Sequence, residues 1–194
     1  MYKIKNYEHL LGMGGFSDEL LKNHFKLYEG YVQNMNKLND ILVNLEKEER
    51  WETPEFAELN RRLAWEFNGM RLHELYFGNL NKDKKEIEEG SELYKKITAE
   101  WGSYKMWEKD FRSMGAMRGI GWVVLYYDKE ADCMFNVWIN EHDLGHFAGA
   151  VPILVMDVFE HAFILDYGMN RKDYIESFFK NIDWSKAEER FKGK

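Results

Sequence analysis

The sequence is poor in cysteine and proline, and it contains no long hydrophobic run. Its 194 residues include one cysteine, Cys133, and two prolines. A single thiol excludes an internal disulfide and a thiolate metal cluster. Few prolines and no serine- or glycine-rich tract argue against a long linker. No apolar segment reaches membrane-spanning length, and the N-terminal residues lack the apolar core of a signal peptide, so we expect a cytoplasmic protein that binds no membrane.

Basic residues are fewer than acidic residues. The chain has 27 basic and 34 acidic residues, which gives a formal net charge of −7. This balance gives no support to nucleic-acid binding, and it repels an anionic substrate at long range. Aromatic residues, in contrast, are abundant, with 7 Trp, 11 Tyr and 13 Phe available to fill a large core.

The first half of the chain predicts two long antiparallel helices. The first spans about residues 17–45 and the second about residues 53–80, and each begins at a hydroxyl residue suited to a helix N-cap. His24 and Tyr31 recur with apolar residues at three- and four-residue steps, so they share one face of the first helix. His73 lies close to the apolar stripe of the second. Such a hairpin can bring His24 and His73 face to face.

In the second half the hydrophobic period changes from 3.6 to 2. Residues 86–117 predict two shorter helices, and residues 122–127 and 134–139 predict a β-hairpin. The apolar run 150–156 predicts a third strand. The fold class is therefore α+β, with a long antiparallel helical hairpin followed by an α/β half that has a three-stranded antiparallel sheet and flanking helices. We expect an N-terminal helical-hairpin domain over 1–84 and a C-terminal α/β domain over 85–194.

Three helix starts are predicted near the C-terminal end. Residues 160–165 resemble the beginning of a helix, and Asn170 with Asp173 predicts the cap of another. Ser185 and Glu188 have the spacing of a capping box for a last short helix.

The residues with the clearest chemistry are an aspartate and three histidines. Asp157 ends the third predicted strand and His161 follows four residues later, so both can converge on a metal ion, a proton or a substrate. Together with His24 and His73 they supply one carboxylate and three imidazoles, a ligand set that suits iron, manganese or zinc. The alternatives are a structural Asp–His hydrogen bond and histidines that are satisfied core residues.

Six segments stand out, in this order along the chain: His24 with Tyr31, His73-Glu74-Leu75-Tyr76-Phe77, Gly119-Ile120-Gly121-Trp122, Asp157-Val158-Phe159-Glu160-His161-Ala162, Asp166-Tyr167 and Asn170-Arg171-Lys172-Asp173-Tyr174-Ile175. Together they resemble the iron/manganese superoxide dismutase family over nearly the whole length. In the family signature, Phe159 stands where tryptophan is usual.

The resemblance implies a metal site and a reaction. His24, His73, Asp157 and His161 would bind one iron or manganese ion per subunit, with a solvent molecule as fifth ligand. The implied reaction is the disproportionation of superoxide to oxygen and hydrogen peroxide. The resemblance does not decide between iron and manganese, because both metals accept this ligand set.

The resemblance also implies roles outside the ligand set. Tyr31 matches a gateway tyrosine that lines the substrate channel and relays protons, and His142 falls where most members have a glutamine that bonds the bound solvent. We expect both to be catalytic. Glu160 matches a residue that bonds the partner subunit's ligand histidine, which implies a homodimer or a dimer of dimers. Trp122 and Phe159 would surround the site.

Other polar residues have weaker interpretations. Arg171 and Lys172 can supply positive potential for an anionic substrate, or they are a plain surface pair at a helix start. His146 is a weaker candidate than His142, and we expect no catalytic role for His9.

The spacing on the first helix departs from the family. His24 lies seven residues before Tyr31, whereas the family has eight. Seven residues make nearly two turns of a regular helix, so both side chains share a face, while eight require a one-residue bulge. Our hypothesis is that the bulge is lost and His24 is kept as ligand. The rival alignment places Asn23 there and leaves a poor site.

Three interpretations remain from the sequence. The first is a superoxide dismutase. The second is a different redox or hydrolytic metalloenzyme on the same scaffold, with His142 as acid or base. The third is a non-catalytic relative that keeps the fold, and the shortened His24–Tyr31 spacing is its best support.

Overall fold

Two long helices come first in the chain, and a small sheet with shorter helices follows. The computed structural model describes residues 1–83 and 86–193. Helix α1 spans Asp18–Lys47 and helix α2 spans Pro54–Phe77, ending slightly before the predicted position 80. The two pack against each other as the predicted hairpin. The predicted domain boundary between residues 84 and 85 lies outside the described residues, so the division into two domains stays a prediction.

Both long helices begin at the predicted caps. The Ser17 hydroxyl accepts a hydrogen bond from the Leu20 N–H at 3.1 Å, and the Thr53 hydroxyl accepts one from the Phe56 N–H at 3.2 Å. Each bond satisfies a backbone donor that has no partner inside its helix. Pro54 occupies the first helical position, where its missing N–H costs nothing.

The second half contains the predicted antiparallel sheet. It consists of β1 (Gly121–Asp128), β2 (Cys133–Asn140) and β3 (Val151–Asp157) in the spatial order β2-β1-β3, and every residue of β1 except the last is buried. Trp122 of the central strand β1 pairs with Asp157 at the end of β3, so the sheet register brings these two residues side by side. The shorter helices are α3 (Glu92–Trp101), α4 (Tyr104–Gly115), α5 (Ile164–Tyr167), α6 (Arg171–Lys180) and α7 (Trp184–Lys192).

The predicted capping box at the last helix is wrong. Asp183, not Ser185, caps α7, because its carboxylate accepts a hydrogen bond from the Ser185 N–H at 3.0 Å. Glu188 faces another element: its carboxylate accepts from the backbone N–H groups of Glu92 at 3.3 Å and Leu93 at 3.0 Å. A carboxylate at the start of a helix also offsets the positive end of the helix dipole. Glu188 therefore connects α7 to the first turn of α3 by hydrogen bonds.

Two further helix predictions need correction. Asn170 precedes α6, but its side chain donates to the Asp173 carboxylate at 2.5 Å and makes no cap bond to the backbone. The helix expected over 160–165 is instead a 3-10 turn, Glu160–Ala162, followed by the single turn of α5. Gly168, with φ +53°, ends that turn, because few other residues adopt a left-handed backbone.

A partly buried arginine joins the two halves of the protein. Arg190 of α7 donates to the side-chain oxygen of Asn79, to the carbonyl of Leu75 at 3.0 Å and to the carbonyl of Ile153 at 3.1 Å. Leu75 lies in the last turn of α2 and Ile153 in β3. Burial lowers the pKa of Arg190 to about 10, so the side chain stays charged at neutral pH. This contact sets the position of the hairpin relative to the sheet.

None of the described helices has the length and apolar character needed to cross a membrane.

Candidate metal centre

The aspartate and three histidines meet where the hairpin contacts the end of the sheet. Helix α1 carries His24, helix α2 carries His73, β3 ends at Asp157 and the 3-10 turn carries His161. The rings of His24 and His73 lie 5.0 Å apart, as the hairpin predicts. One potential ligand atom from each of the four residues lies within 4.8 Å of all the others.

The distances in this group match one ion. The Nε2 atoms of His24, His73 and His161 lie 3.2, 3.7 and 3.1 Å from Oδ2 of Asp157. Metal–ligand bonds of about 2.1 Å place neighbouring ligand atoms about 3.0 Å apart at a right angle and about 3.6 Å apart at 120°. The three histidine nitrogens thus lie at separations from Oδ2 of Asp157 close to those that ligands of one ion have.

The hydrogen bonds around His24 and His73 leave the Nε2 atoms of both residues available. The carbonyl of Gly69 can only accept, so Nδ1 of His73 carries the proton and donates to it at 2.5 Å. Nε2 of His73 then holds a lone pair. Among the described residues this nitrogen has no hydrogen-bond partner, and neither nitrogen of the buried His24 has one. Buried polar atoms without a partner are costly, and a metal ion would satisfy the two Nε2 atoms.

The charge states also suit a metal. Burial lowers the pKa of His24 and drives that of His73 well below its usual value, so both imidazoles are neutral at physiological pH. Burial acts to raise the pKa of Asp157, but the charge and hydrogen bond of His161, with His24, outweigh it and lower the pKa. The other oxygen of Asp157 accepts from the Phe159 N–H at 2.9 Å. The site thus offers neutral nitrogens and one carboxylate.

The structure places His24, not Asn23, in this group. Helix α1 is a regular α-helix throughout Asp18–Lys47, without the extra residue of a π-bulge. His24 is 1% exposed, while Asn23 points to solvent. Tyr31, seven residues later, stacks on the ring of His73 at a centroid distance of 5.2 Å. The shorter spacing therefore keeps both side chains on the site-facing side of a regular helix.

A hydrogen-bonded chain of three side chains borders the site. The indole N–H of Trp122 donates to Nδ1 of His142 at 3.0 Å. Because Nδ1 accepts, the proton of neutral His142 is on Nε2, which lies 2.7 Å from the Tyr31 hydroxyl oxygen. Burial lowers the pKa of His142 to about 4, so the ring is neutral at physiological pH. Trp122 thereby fixes the tautomer of His142.

The other predicted residues take different positions. The ring of Phe159 lies between those of His142 and His161, at 4.7 and 5.1 Å. Glu160 is exposed beside His161. Arg171 donates to the backbone carbonyls of Met117 and Gly119 at 2.7 and 2.8 Å, so it fastens the segment before β1. These contacts favour a structural interpretation of Arg171 over a source of potential for substrate.

The remaining histidines lie outside the group. His146 donates to the backbone carbonyl of His142 at 2.8 Å and pairs with the Tyr126 hydroxyl at 2.9 Å, so it supports the loop that carries His142. His9 is exposed in a 3-10 turn near the N-terminus.

The sequence analysis missed two residues next to the site. The ring of Trp65 lies 4.7 Å from that of His142, and the guanidinium of Arg62 lies 5.0 Å from the Trp65 ring. Trp65 stands eight residues before His73 on a regular helix, a spacing that does not place the two side chains on one face, so the sequence carried no clear signal for it. For Arg62 there was no signal either.

Comparisons with known proteins agree with this geometry. Residues 88–190 match the model of the C-terminal domain of iron/manganese superoxide dismutases. The chain is 32% identical to superoxide dismutase [Mn] 2 of Haloferax volcanii, over 87% of this chain and 83% of the relative. It is 31% identical to superoxide dismutase [Fe] of Aquifex pyrophilus, over 98% of this chain and 92% of the relative. For superoxide dismutase [Fe] of Cupriavidus metallidurans the identity is 32%, over 91% and 89%. Because the similarity spans both halves of the fold, the chain belongs to the iron/manganese superoxide dismutase family.

Proposed function

We propose that this protein is a superoxide dismutase, which converts two superoxide anions and two protons to oxygen and hydrogen peroxide. The observation that carries the proposal is the convergence of three imidazole nitrogens on the Asp157 carboxylate, 3.1–3.7 Å away, in a chain of this family. His24, His73, Asp157 and His161 would hold one iron or manganese ion. When bound there, the ion would supply one-electron redox chemistry between its trivalent and divalent states.

The ligand residues have separate tasks in this proposal. Asp157 supplies the single negative charge of the set, which stabilises the higher oxidation state. His73 is oriented by its bond to the Gly69 carbonyl, so its Nε2 lone pair is held toward the centre. His161 is the partly exposed member of the group, while the other three are buried. Substrate would therefore approach from the side of Tyr31 and His161.

Tyr31 and His142 would manage the proton that accompanies each electron. His142 donates its single N–H to the Tyr31 oxygen, which leaves the hydroxyl hydrogen of Tyr31 free to point into the site. Burial, with the charges of Asp157 and Glu66, raises the pKa of Tyr31, so the hydroxyl stays protonated at physiological pH. Tyr31 then serves as a proton donor, and solvent restores its proton.

Apolar rings would limit the access of bulk water. Phe159 covers His142 and His161, and Trp122 lies under His73 at a centroid distance of 5.0 Å. Glu160 is exposed next to His161, which supports the proposal that it contacts the partner subunit in a homodimer. Sedimentation of the native protein and of Glu160→Ala tests this: the variant should dissociate at a higher concentration than the native dimer.

Metal analysis and a dismutation assay on one preparation test the function. We expect about one iron or manganese ion per subunit and rapid loss of superoxide. Reconstitution with each metal decides which one supports the reaction. Bound metal without dismutation would favour a different metalloenzyme, and a chain that binds neither metal would favour a non-catalytic relative. Either result would refute the proposal.

A further inference from the structure

A clamped arginine lies beside the His142–Tyr31 pair. Arg62 and Glu66 are one turn apart on α2, and Nε of Arg62 donates to the Glu66 carboxylate at 2.9 Å. The Glu66 side chain is 4% exposed, whereas that of Arg62 is 50% exposed. The carboxylate therefore lies beneath the surface and the guanidinium lies on it. An anion that arrives from solvent meets the positive group first.

An aromatic ring holds the same guanidinium from a second side. The guanidinium carbon of Arg62 lies 5.0 Å from the centre of the Trp65 ring, within the range of a cation–π contact. Trp65 in turn lies edge-to-face with His142, at 4.7 Å. Exposure falls from Arg62 through the partly buried Trp65 to the buried His142. These three residues thus form a continuous line of contacts from the surface to the border of the metal centre.

The fixed orientation leaves hydrogen-bond donors available. The Glu66 carboxylate accepts a hydrogen bond from Nε of Arg62, and no residue in the described part of the chain bonds to Nη1 or Nη2 of Arg62. A guanidinium with two free terminal nitrogens is well suited to bind a small anion. Burial dominates the pKa values of Tyr31 and His142, and the charge of Arg62 is a further contribution that lowers both. Its field therefore reaches the site.

We propose that Arg62, held by Glu66 and Trp65, captures small anions at the surface beside the metal centre. The ligand class is the monovalent oxyanion or pseudohalide, with superoxide as the physiological member if the proposed function is right. The acidic chain, at −7, repels such anions at long range. A local cation beside the metal centre raises the concentration of such anions there and increases the rate at which they associate with the protein.

Azide binding to the metal-loaded protein tests the proposal. Arg62→Gln should lower the association rate constant for azide, followed by absorbance, about threefold or more at low ionic strength. Arg62→Lys should retain most of the rate, because it keeps the charge. The matched control is Arg61→Gln, which removes the same charge from the neighbouring residue; Arg61 is exposed and pairs with Glu58 at 3.3 Å. At about 0.5 M salt the variants should converge, because the Debye length falls to about 4 Å.

Iodide quenching of Trp65 fluorescence gives a second readout that needs no metal. The chain has 7 Trp, so the share of Trp65 is obtained by difference from Trp65→Phe in each background. Arg62→Gln should reduce quenching of Trp65 by iodide, while quenching by neutral acrylamide stays equal or rises. Arg61→Gln should change neither.

Three results would overturn the inference. Azide could associate equally fast with Arg62→Gln and native protein, Arg61→Gln could lose as much rate, or the loss could persist undiminished at high salt, which would indicate a structural effect. If Arg62→Gln does not fold because Glu66 is left buried and unpaired, the Arg62→Gln/Glu66→Gln double variant keeps the net charge and tests the same loss of donors. Dismutation is measured separately, so anion capture without turnover would refute only the proposed function.

Discussion

Replacement of Trp122 by phenylalanine should impair catalysis more than stability alone explains. Trp122 and His142 are both 0% exposed, and the indole N–H is the partner of Nδ1 of His142. Phenylalanine keeps an apolar ring but removes that donor. Nδ1 is then a buried acceptor without a partner, and the proton of His142 is no longer restricted to Nε2. We expect part of the population to carry the proton on Nδ1, which leaves Tyr31 without its donor.

The expected magnitudes follow from the geometry. An unsatisfied buried acceptor costs about 1–3 kcal/mol, and the smaller ring adds a cavity cost of about 1 kcal/mol. Stability should therefore fall by about 2–4 kcal/mol. Loss of a partner that orients a residue next to a metal centre typically lowers activity about 10- to 100-fold. Metal content should stay near native, because Trp122 supplies no ligand atom.

Trp107→Phe is the matched control. Trp107 is also 0% exposed, and its indole N–H donates to the Asn136 side chain at 3.0 Å, away from the metal site. Both variants should lose similar stability in urea unfolding, while Trp122→Phe alone loses turnover per bound metal. Nitrogen NMR of the His142 ring should show the Nε2–H tautomer alone in the native protein and in the control, and a mixture of both tautomers in Trp122→Phe. Equal turnover in the two variants would show that Trp122 acts as packing and would refute the reasoning.

Three further predictions concern the ligand set, stability in acid and the hydrogen bonds of Arg190 between the two halves of the protein. Asp157→Asn should lower metal content by at least about tenfold, measured by elemental analysis, because a neutral amide is a poor ligand for a trivalent ion. Titration of His142 should destabilise the metal-free fold in acid. The pKa of His142 is about 4 in the folded protein and 6.5 for a free imidazole, so the unfolded chain binds the proton at a higher pH than the folded protein does. Unfolding free energy should therefore fall by about 3 kcal/mol as pH drops from about 6.5 to about 4. Arg190→Met should cost about 3–5 kcal/mol in urea unfolding, because three acceptors lose their donor.

Each of these predictions has its own control. Asp166→Asn changes an exposed carboxylate that bonds the Ser17 N–H, and it should leave metal content unchanged. His142→Gln should flatten the acid-dependent loss of stability, and an unchanged slope would contradict the assignment to His142. Arg61→Met removes an exposed arginine and should cost less than about 1 kcal/mol. A similar cost for Arg190→Met would mean that its three bonds contribute little.

Short-range patterns account for the parts of the structure that the sequence predicts well. The three- and four-residue steps through His24 place it on the buried face of α1, and helix geometry alone then determines that Tyr31 shares that face. Alternating and continuous apolar runs likewise mark the three strands, since each strand buries one or both faces. The caps at Ser17 and Thr53 are local bonds over three residues, so the chain encodes them within one turn.

The wrong capping-box prediction at α7 involves groups whose partners lie far away in the chain. Glu188 has the spacing of a local capping residue, yet it accepts from Leu93, which is 95 residues away. Asp183 takes the cap of α7 because it directly precedes that helix, and its backbone N–H bonds to the carbonyl of Asn79 at 2.6 Å. Local spacing cannot distinguish such competitors, since the choice depends on which elements pack together.

The sequence by itself determined the helical hairpin, the α+β order and the four residues most suited to hold an ion, because periodicity and residue chemistry are local properties. Tertiary structure decided what those residues face. Tyr31 and His142 meet across 111 residues, and only their contact with Trp122 selects the proton position on the imidazole. Arg62 likewise lies near His142 only because Trp65 of α2 packs against the His142 ring. Such relations require several distant segments to close together at once, and no short pattern in the chain records them.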